Sequence, residues 1–418
     1  MKSVAVRQFT LLLCLICPAF SAPRPNWQEL RTQIENTFHI PQPLPELRAK
    51  SYGQFSPASG VTADRVSYAT ACDLRVPAIV YHPAGATIAQ HPALVIVNGH
   101  GGDKSSWYAY WAGILYARAG AVVLTYDPIG EYERNKDRQS RTSQHDQYVA
   151  PDDMARRMAG LMFTDIMQSV AYLAQRPDVD PKRIAILGYS MGSFLSSIAC
   201  AIDTQAHACV LVGGGDLDGP GGYWDSSGKK MCQAIPYQSL KFLGDRGAVL
   251  FALNAKRGPT LILNGSADTT VDIPHHGPQF FEDLRKQTIH ELGSSKDVFD
   301  FAFVPDGGHR PYFVTKTAAL WLEEKLKFPN WTRKQIQSMP ETHISEWAAQ
   351  NKLDSKSLSN EHGEGGTIAL GADIPAVPRE ELYAVPKAVW ESQQDSYMYE
   401  SWLARAKAAE SAQQNRDR

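Results

Sequence analysis

A serine between two glycines, Gly188-Tyr189-Ser190-Met191-Gly192, follows the apolar run Ile184-Ala185-Ile186-Leu187 and opens a helix-like stretch beginning Ser193-Phe194-Leu195. Strand, tight turn and helix in that order leave few folds open. Backbones pass closely at such a turn, and only a hydrogen side chain on each flank lets them do so. The serine hydroxyl is then held out above the sheet edge. Its own amide and that of Met191 lie at a helix start, where N–H groups without acceptors and the helix dipole favour a developing oxyanion. The local chemistry suits nucleophilic attack on a carbonyl.

Two more polar residues follow strand-like runs. Leu261-Ile262-Leu263-Asn264 leads to Asp268, and Phe301-Ala302-Phe303-Val304 leads through Pro305-Asp306-Gly307-Gly308 to His309. Ser190, Asp268 and His309 therefore stand at the carboxyl ends of three strands, where open α/β sheets place their sites. Serine, acid and histidine also come in the chain order of a nucleophile-elbow triad. Asp272 is the alternative acid. His275, His276 and His290 compete with His309 as base but fall in or beside a helix over 276–289.

From about Ser67 to Leu326 the chain resembles the α/β-hydrolase superfamily, and within it secreted serine esterases of the acetyl xylan esterase and dienelactone hydrolase type. A buried strand, Leu94-Val95-Ile96-Val97-Asn98, runs into Gly99-His100-Gly101-Gly102-Asp103 in support. The resemblance implies an α/β-hydrolase fold: a mostly parallel central sheet flanked by helices, with an N-terminal lead-in and a C-terminal extension. It also implies that the backbone N–H of Gly102 joins that of Met191 in an oxyanion hole. His100 reads as a hydrogen-bonding residue of the turn rather than a base. Dienelactone hydrolases often use cysteine as nucleophile, so that substrate does not carry over to Ser190.

The parts of the chain follow from that core. With 418 residues, one hydrolase domain of ~250–280 residues plus extensions fits better than two equal domains. Residues 1–22 read as a signal peptide: Lys2 and Arg7, then Leu11-Leu12-Leu13-Cys14-Leu15-Ile16, then small residues up to Ala22. The run falls short of the roughly 20 apolar residues that span a bilayer, so no stable membrane insertion is expected and the protein is placed outside the cell or in the periplasm. Residues 23–60 form the lead-in, 61–328 the catalytic domain, and 329–418 an extension whose last dozen residues are expected to lack order. Within the domain, 213–258 is a cap-like insertion whose Tyr223 and Trp224 are candidates for the substrate pocket, against the alternative that they pack the cap onto the body. Glu131 and Arg134, in a polar loop over 128–150, are candidates for supporting the site, against a plain salt bridge. Trp390, Tyr397, Tyr399 and Trp402 suggest docking of the extension onto the body more than a carbohydrate platform.

Composition excludes other classes. A net charge of −2 carries no basic stripe for displacing counterions from nucleic acid. Beyond the expected signal neither a CxxC pair nor an HExxH helix is present, so no metal and no cofactor are expected. Beyond the signal, Cys72, Cys200, Cys209 and Cys232 allow three full pairings, with Cys200 and Cys209 read as buried thiols.

The expected function is cleavage of carboxylic esters through an acyl-enzyme, on small-molecule or polysaccharide substrates with short acyl groups such as acetyl. His309 takes the proton of Ser190, Asp268 orients the imidazole, and activity rises from about pH 5 to 8 as His309 loses its charge. A serine peptidase of the prolyl oligopeptidase type is the alternative, although no propeller blades precede the domain. A carbohydrate-binding protein without turnover is the third reading, since fold alone does not fix activity.

Overall fold

A computed structural model describes residues 26–85, 90–141, 143–226, 234–296, 298–353 and 366–416. The expected signal peptide and Cys232 lie outside them.

Nine strands build the main sheet: β1 (Lys50–Ala58), β2 (Val61–Ala69), β3 (Arg75–Pro83), β4 (His91–Val97), β5 (Val122–Tyr126), β6 (Val179–Tyr189), β7 (Ala208–Val212), β8 (Thr260–Gly265) and β9 (Asp300–Val304), in spatial order β1-β2-β3-β5-β4-β6-β7-β8-β9. Pairing is antiparallel from β1 through β3 to β5 and parallel from β5 to β9. The chain steps from β4 to β5 on one side and returns to β6 on the other, so the carboxyl ends of β4 and β6 face a topological switch point. This is the α/β-hydrolase architecture.

Alternation along the strands assigns each side chain to a layer. Val95 and Val97 of β4 pack into one core with α1 (Trp27–Thr37), α4 (Asp153–Ala174), α5 (Met191–Ile202), α8 (Arg246–Arg257) and α9 (Ile273–Leu292), while Leu94 and Ile96 pack into the other with α2 (Trp107–Arg118) and α10 (Lys316–Leu326). Both faces are covered, which is why the parallel strands are apolar throughout rather than alternating. Helix starts are set by side-chain caps where the turn needs one: Asp152 accepts from the Ala155 amide at α4, and Asp245 from Ala248 at α8.

The lead-in contributes more than a wrap, since it supplies β1 at the sheet edge. The 213–258 insertion holds the short helices α6 (Tyr223–Ser226) and α7 (Ala234–Gln238) besides α8. After α10 the extension forms α11 (Arg333–Ser338), a small β10 (Glu341–His343) and β11 (Ile368–Leu370) pair enclosing α12 (Ile344–Gln350), then α13 (Lys387–Ser392) and α14 (Tyr399–Arg416). It crosses from one face of the sheet to the other. Trp347, Trp390 and Tyr397 belong to the core over α2, whereas Tyr399 and Trp402 belong to the core over α4, where Trp402 meets Tyr148 edge to face. All four aromatics of the sequence reading are buried, as docking requires. Helix α14 runs to Arg416, into residues expected to lack order. Among the described residues no helix is long and apolar enough to cross a membrane.

Candidate active site

Ser190 sits between β6 and α5 with φ 54° and ψ −117°, a region that non-glycine residues avoid and that functional turns retain at a cost of about 1–3 kcal/mol. Its flanking glycines are sterically obligatory: a Cβ on Gly188 would lie 2.3 Å from the Gly192 carbonyl oxygen, and one on Gly192 would lie 2.2 Å from that of Val97. The Ser190 amide donates to the Val212 carbonyl at 2.8 Å, tying the turn to β7.

Three separate loops bring the predicted triad together. His309 Nε2 is 2.7 Å from Ser190 Oγ, and His309 Nδ1 is 2.7 Å from Asp268 Oδ2. Adjacent parallel strands set the acid and base loops side by side, with Gly265 of β8 in register with Val304 of β9. The imidazole rests against Gly213, where a Cβ would come within 2.8 Å of its Cε1, and the Tyr189 hydroxyl donates to the His309 carbonyl at 3.1 Å. Asp268 is fully buried and accepts the Thr270 amide at 3.0 Å through Oδ1. Asp272, the alternative acid, stands at the start of α9 without a side-chain capping bond and pairs with His275, while His276 pairs with Asp216. Asp216 is itself buried near Asp268; burial pushes its carboxyl up to about 6 although His276 pulls it down.

The oxyanion side departs from expectation. As first residue of α5, Met191 has an amide with no intrahelical acceptor. Gly102 does not match it, because its N–H donates to the Gly99 carbonyl at 2.9 Å and closes the turn. The residue beside the serine is Gly99: a Cβ there would lie 3.3 Å from Ser190 Cβ. The peptide that follows Gly99 is that of His100.

Trp224 is corrected from pocket to core. It is fully buried, packs edge-on against Phe194 with ring centroids 4.5 Å apart, and donates through Nε1 to the Asp216 carbonyl at 2.8 Å. Tyr223 is partly exposed and meets the His276 ring edge-on at 6.1 Å.

Glu131 and Arg134 lie in a web of buried charge behind the turn. Arg134 pairs with Asp165 and donates to the Asp127 carbonyl. Lys104 Nζ bridges Asp127 and Glu133, the latter at 2.7 Å. Burial opposes the ammonium, yet the two carboxylates hold its proton affinity above the usual lysine value. Glu133 also accepts the amides of Ala384 and Val385 at 2.7 and 2.9 Å, while Arg379 reaches Asp103 at 3.0 Å and Ser105 at 2.7 Å. The extension thereby grips the turn, a link no local sequence signal announces. Glu131 is fully buried, and burial and then Asp103 push its carboxyl up to about 8.

The prolyl oligopeptidase family model matches residues 107–337. No curated protein sequence matches the chain. Among solved structures it is similar to Methylesterase BT1017, 17% identical over 92% of this chain and 76% of that one at a TM-score of 0.58. It is likewise similar to Acetyl Xylan Esterase 1 from Thermoanaerobacterium sp. JW/SL YS485, 19% identical over 74% of this chain and 96% of that one at a TM-score of 0.51. At these identities the likeness is one of fold.

Proposed function

This chain belongs to the prolyl oligopeptidase family, and on that premise we propose that it is a serine hydrolase cleaving carboxylic esters through an acyl-enzyme. The observation that carries the reading is the continuous hydrogen-bonded line from Ser190 Oγ through both nitrogens of His309 to the buried Asp268. In the proposed cycle His309 Nε2 takes the hydroxyl proton as Ser190 attacks the ester carbonyl, and the imidazolium gives that proton to the departing alcohol. Asp268 fixes the tautomer with the proton on Nδ1 and stabilises the charged ring. Water then repeats the sequence and releases the acid.

The oxyanion is assigned to the amides of Met191 and His100, the latter replacing Gly102, whose N–H is spent on the turn. Each donor in comparable sites is worth roughly 3–4 kcal/mol of barrier. The proposed substrates are esters with a short acyl group, acetyl groups on polysaccharide among them. Methyl esters join the test because the two similar structures bear the names of a methylesterase and an acetyl esterase, in which opposite halves of the ester are small. The family match favours a second reading, peptide hydrolysis.

One assay set separates them: p-nitrophenyl acetate, butyrate and octanoate, a methyl ester read by methanol release, and a dipeptidyl anilide, each with the parent chain and Ser190→Ala. Acetate turnover that falls at least 10,000-fold in the variant is expected. Anilide turnover above ester turnover would install the peptidase reading. Ester turnover unchanged by the substitution would remove Ser190 from the mechanism.

A further inference from the structure

Three side chains that the hydrolytic cycle does not use converge from two segments. His100 comes from the turn after β4, and His145 and Asp146 from the four-residue helix α3 (Ser143–Asp146) in the 128–150 loop. One ligating atom from each lies within 4.8 Å of the other two. His100 Nε2 is 3.2 Å from Asp146 Oδ2, and His145 Nε2 is 3.7 Å from Asp146 Oδ1. The two imidazole rings face each other with centroids 5.2 Å apart and planes inclined at 49°.

We propose that His100, His145 and Asp146 form a binding site for a divalent transition-metal ion of borderline softness, Zn²⁺ foremost. Two imidazoles and one carboxylate are a donor set for such ions, whereas Mg²⁺ and Ca²⁺ take oxygen ligands. The spacing is close to what such an ion needs. With bonds of about 2.0–2.1 Å, a tetrahedral ion sets its ligand atoms ~3.4 Å apart, and the approaches of the two rings to the separate oxygens of the Asp146 carboxylate, 3.2 and 3.7 Å, straddle that value. One atom from each residue already lies within 4.8 Å of the other two, and exposed His100 sits at the solvent side of the cluster, where ring and carboxylate rotations bring the three around an ion. Three protein ligands leave the fourth position for water, and the partial exposure of Asp146 gives an entry path. The site escapes sequence motifs because its ligands are 45 residues apart in their main step, from His100 to His145.

The consequence is mechanical. A bound ion clamps the 128–150 loop onto the turn whose His100 peptide is assigned to the oxyanion, although the site itself rests on ligand geometry and stands whether or not that assignment does. The test uses the full chain, stripped with a chelator and dialysed, titrated with Zn²⁺ against a chromophoric competitor. One equivalent bound with a micromolar or tighter dissociation constant is expected, and Co²⁺ loaded in its place should give the intense visible absorption of a tetrahedral site. Asp146→Asn and His145→Ala should each weaken binding at least 100-fold, while His275→Ala and His290→Ala, which alter exposed histidines elsewhere among the 12 in the chain, should leave it unchanged. Unfolding midpoints with and without Zn²⁺ give a second reading: the ion should raise that of the parent chain and not that of Asp146→Asn. Asp146 is partly exposed, so its variant keeps the test open where His145→Ala fails to fold. Uptake below a tenth of an equivalent, or the parent affinity retained in both ligand variants, overturns the proposal.

Discussion

Asp268 and His309 reach Ser190 from two hydrogen-bonded parallel strands, whereas the turn on the other side of the serine is held by buried charges drawn from distant segments. The first arrangement is redundant. The register of β8 and β9 is fixed by a ladder of backbone hydrogen bonds and by apolar packing that is complete on β8 and partial on edge strand β9, so no single side chain places the acid loop beside the base loop. The second depends on individual groups: the single ammonium of Lys104 pairs with both Asp127 and Glu133, and Arg379 reaches Asp103 across 276 residues of sequence. Chemistry and stability should therefore come apart under mutation, chemistry failing on the strand-held side and stability on the charge-held side.

Asp268→Asn is the strongest attempt to break that division. It should lower kcat about 10,000-fold by reversing the favoured tautomer of His309, with the unfolding midpoint little changed; a loss below tenfold would mean the acid is not Asp268. On the opposite side, Lys104→Met strands two buried carboxylates and should cost about 3–5 kcal/mol in urea unfolding. Unaltered stability there would show that the web of charges does not hold the turn.

Glu131 gives the division a pH signature. Its folded-state carboxyl, raised from 4.5 to about 8 by burial and then by Asp103, binds a proton more tightly than the unfolded chain does. Stability on its account is greatest below about pH 4.5 and falls as pH rises to about 8. Glu131→Gln should accordingly stabilise by roughly 2–4 kcal/mol above pH 8 and by nothing at pH 4, and a gain independent of pH would remove burial of its charge as the cause. Smallest is Arg379→Ala. That side chain is 40% exposed, so the loss is expected near 1 kcal/mol or less, with kcat for acetate hydrolysis lowered a few-fold. A larger loss of stability than that in Lys104→Met would reverse the ranking of the two contacts.

The same division decides what could be read from the sequence. Strands β4 to β9 are short apolar runs bounded by turn residues, and the strand order places Ser190, Asp268 and His309 at one sheet edge without knowledge of any tertiary contact. Strand β1 carries no such signal. It is an edge strand, mostly exposed, with Gly53 and Pro57 within it, and it pairs only because β2 offers a free edge. Trp224 reads equally as pocket or core, since an aromatic beside Gly221 and Gly222 fits either until Phe194 is seen against it. Gly102 misleads for a subtler reason: which amide of a glycine-rich turn closes it, and which is left facing the serine, depends on backbone dihedrals that the residue types do not specify. The grip of residues 379–390 on Asp103 and Glu133 is the least legible feature, because a charge gives no hint of a partner so far along the chain.

The route of the extension across the sheet bears on the order in which the molecule is completed. During synthesis Ser190, Asp268 and His309 emerge well ahead of Arg379, Ala384, Val385 and Trp390. Until those last residues arrive, Asp103, Ser105 and Glu133 lack the partners that will cover them. A nascent chain can thus assemble its nucleophile, base and acid while the turn opposite them is still loose, and the closing segment acts as the final fastening of an otherwise finished hydrolase.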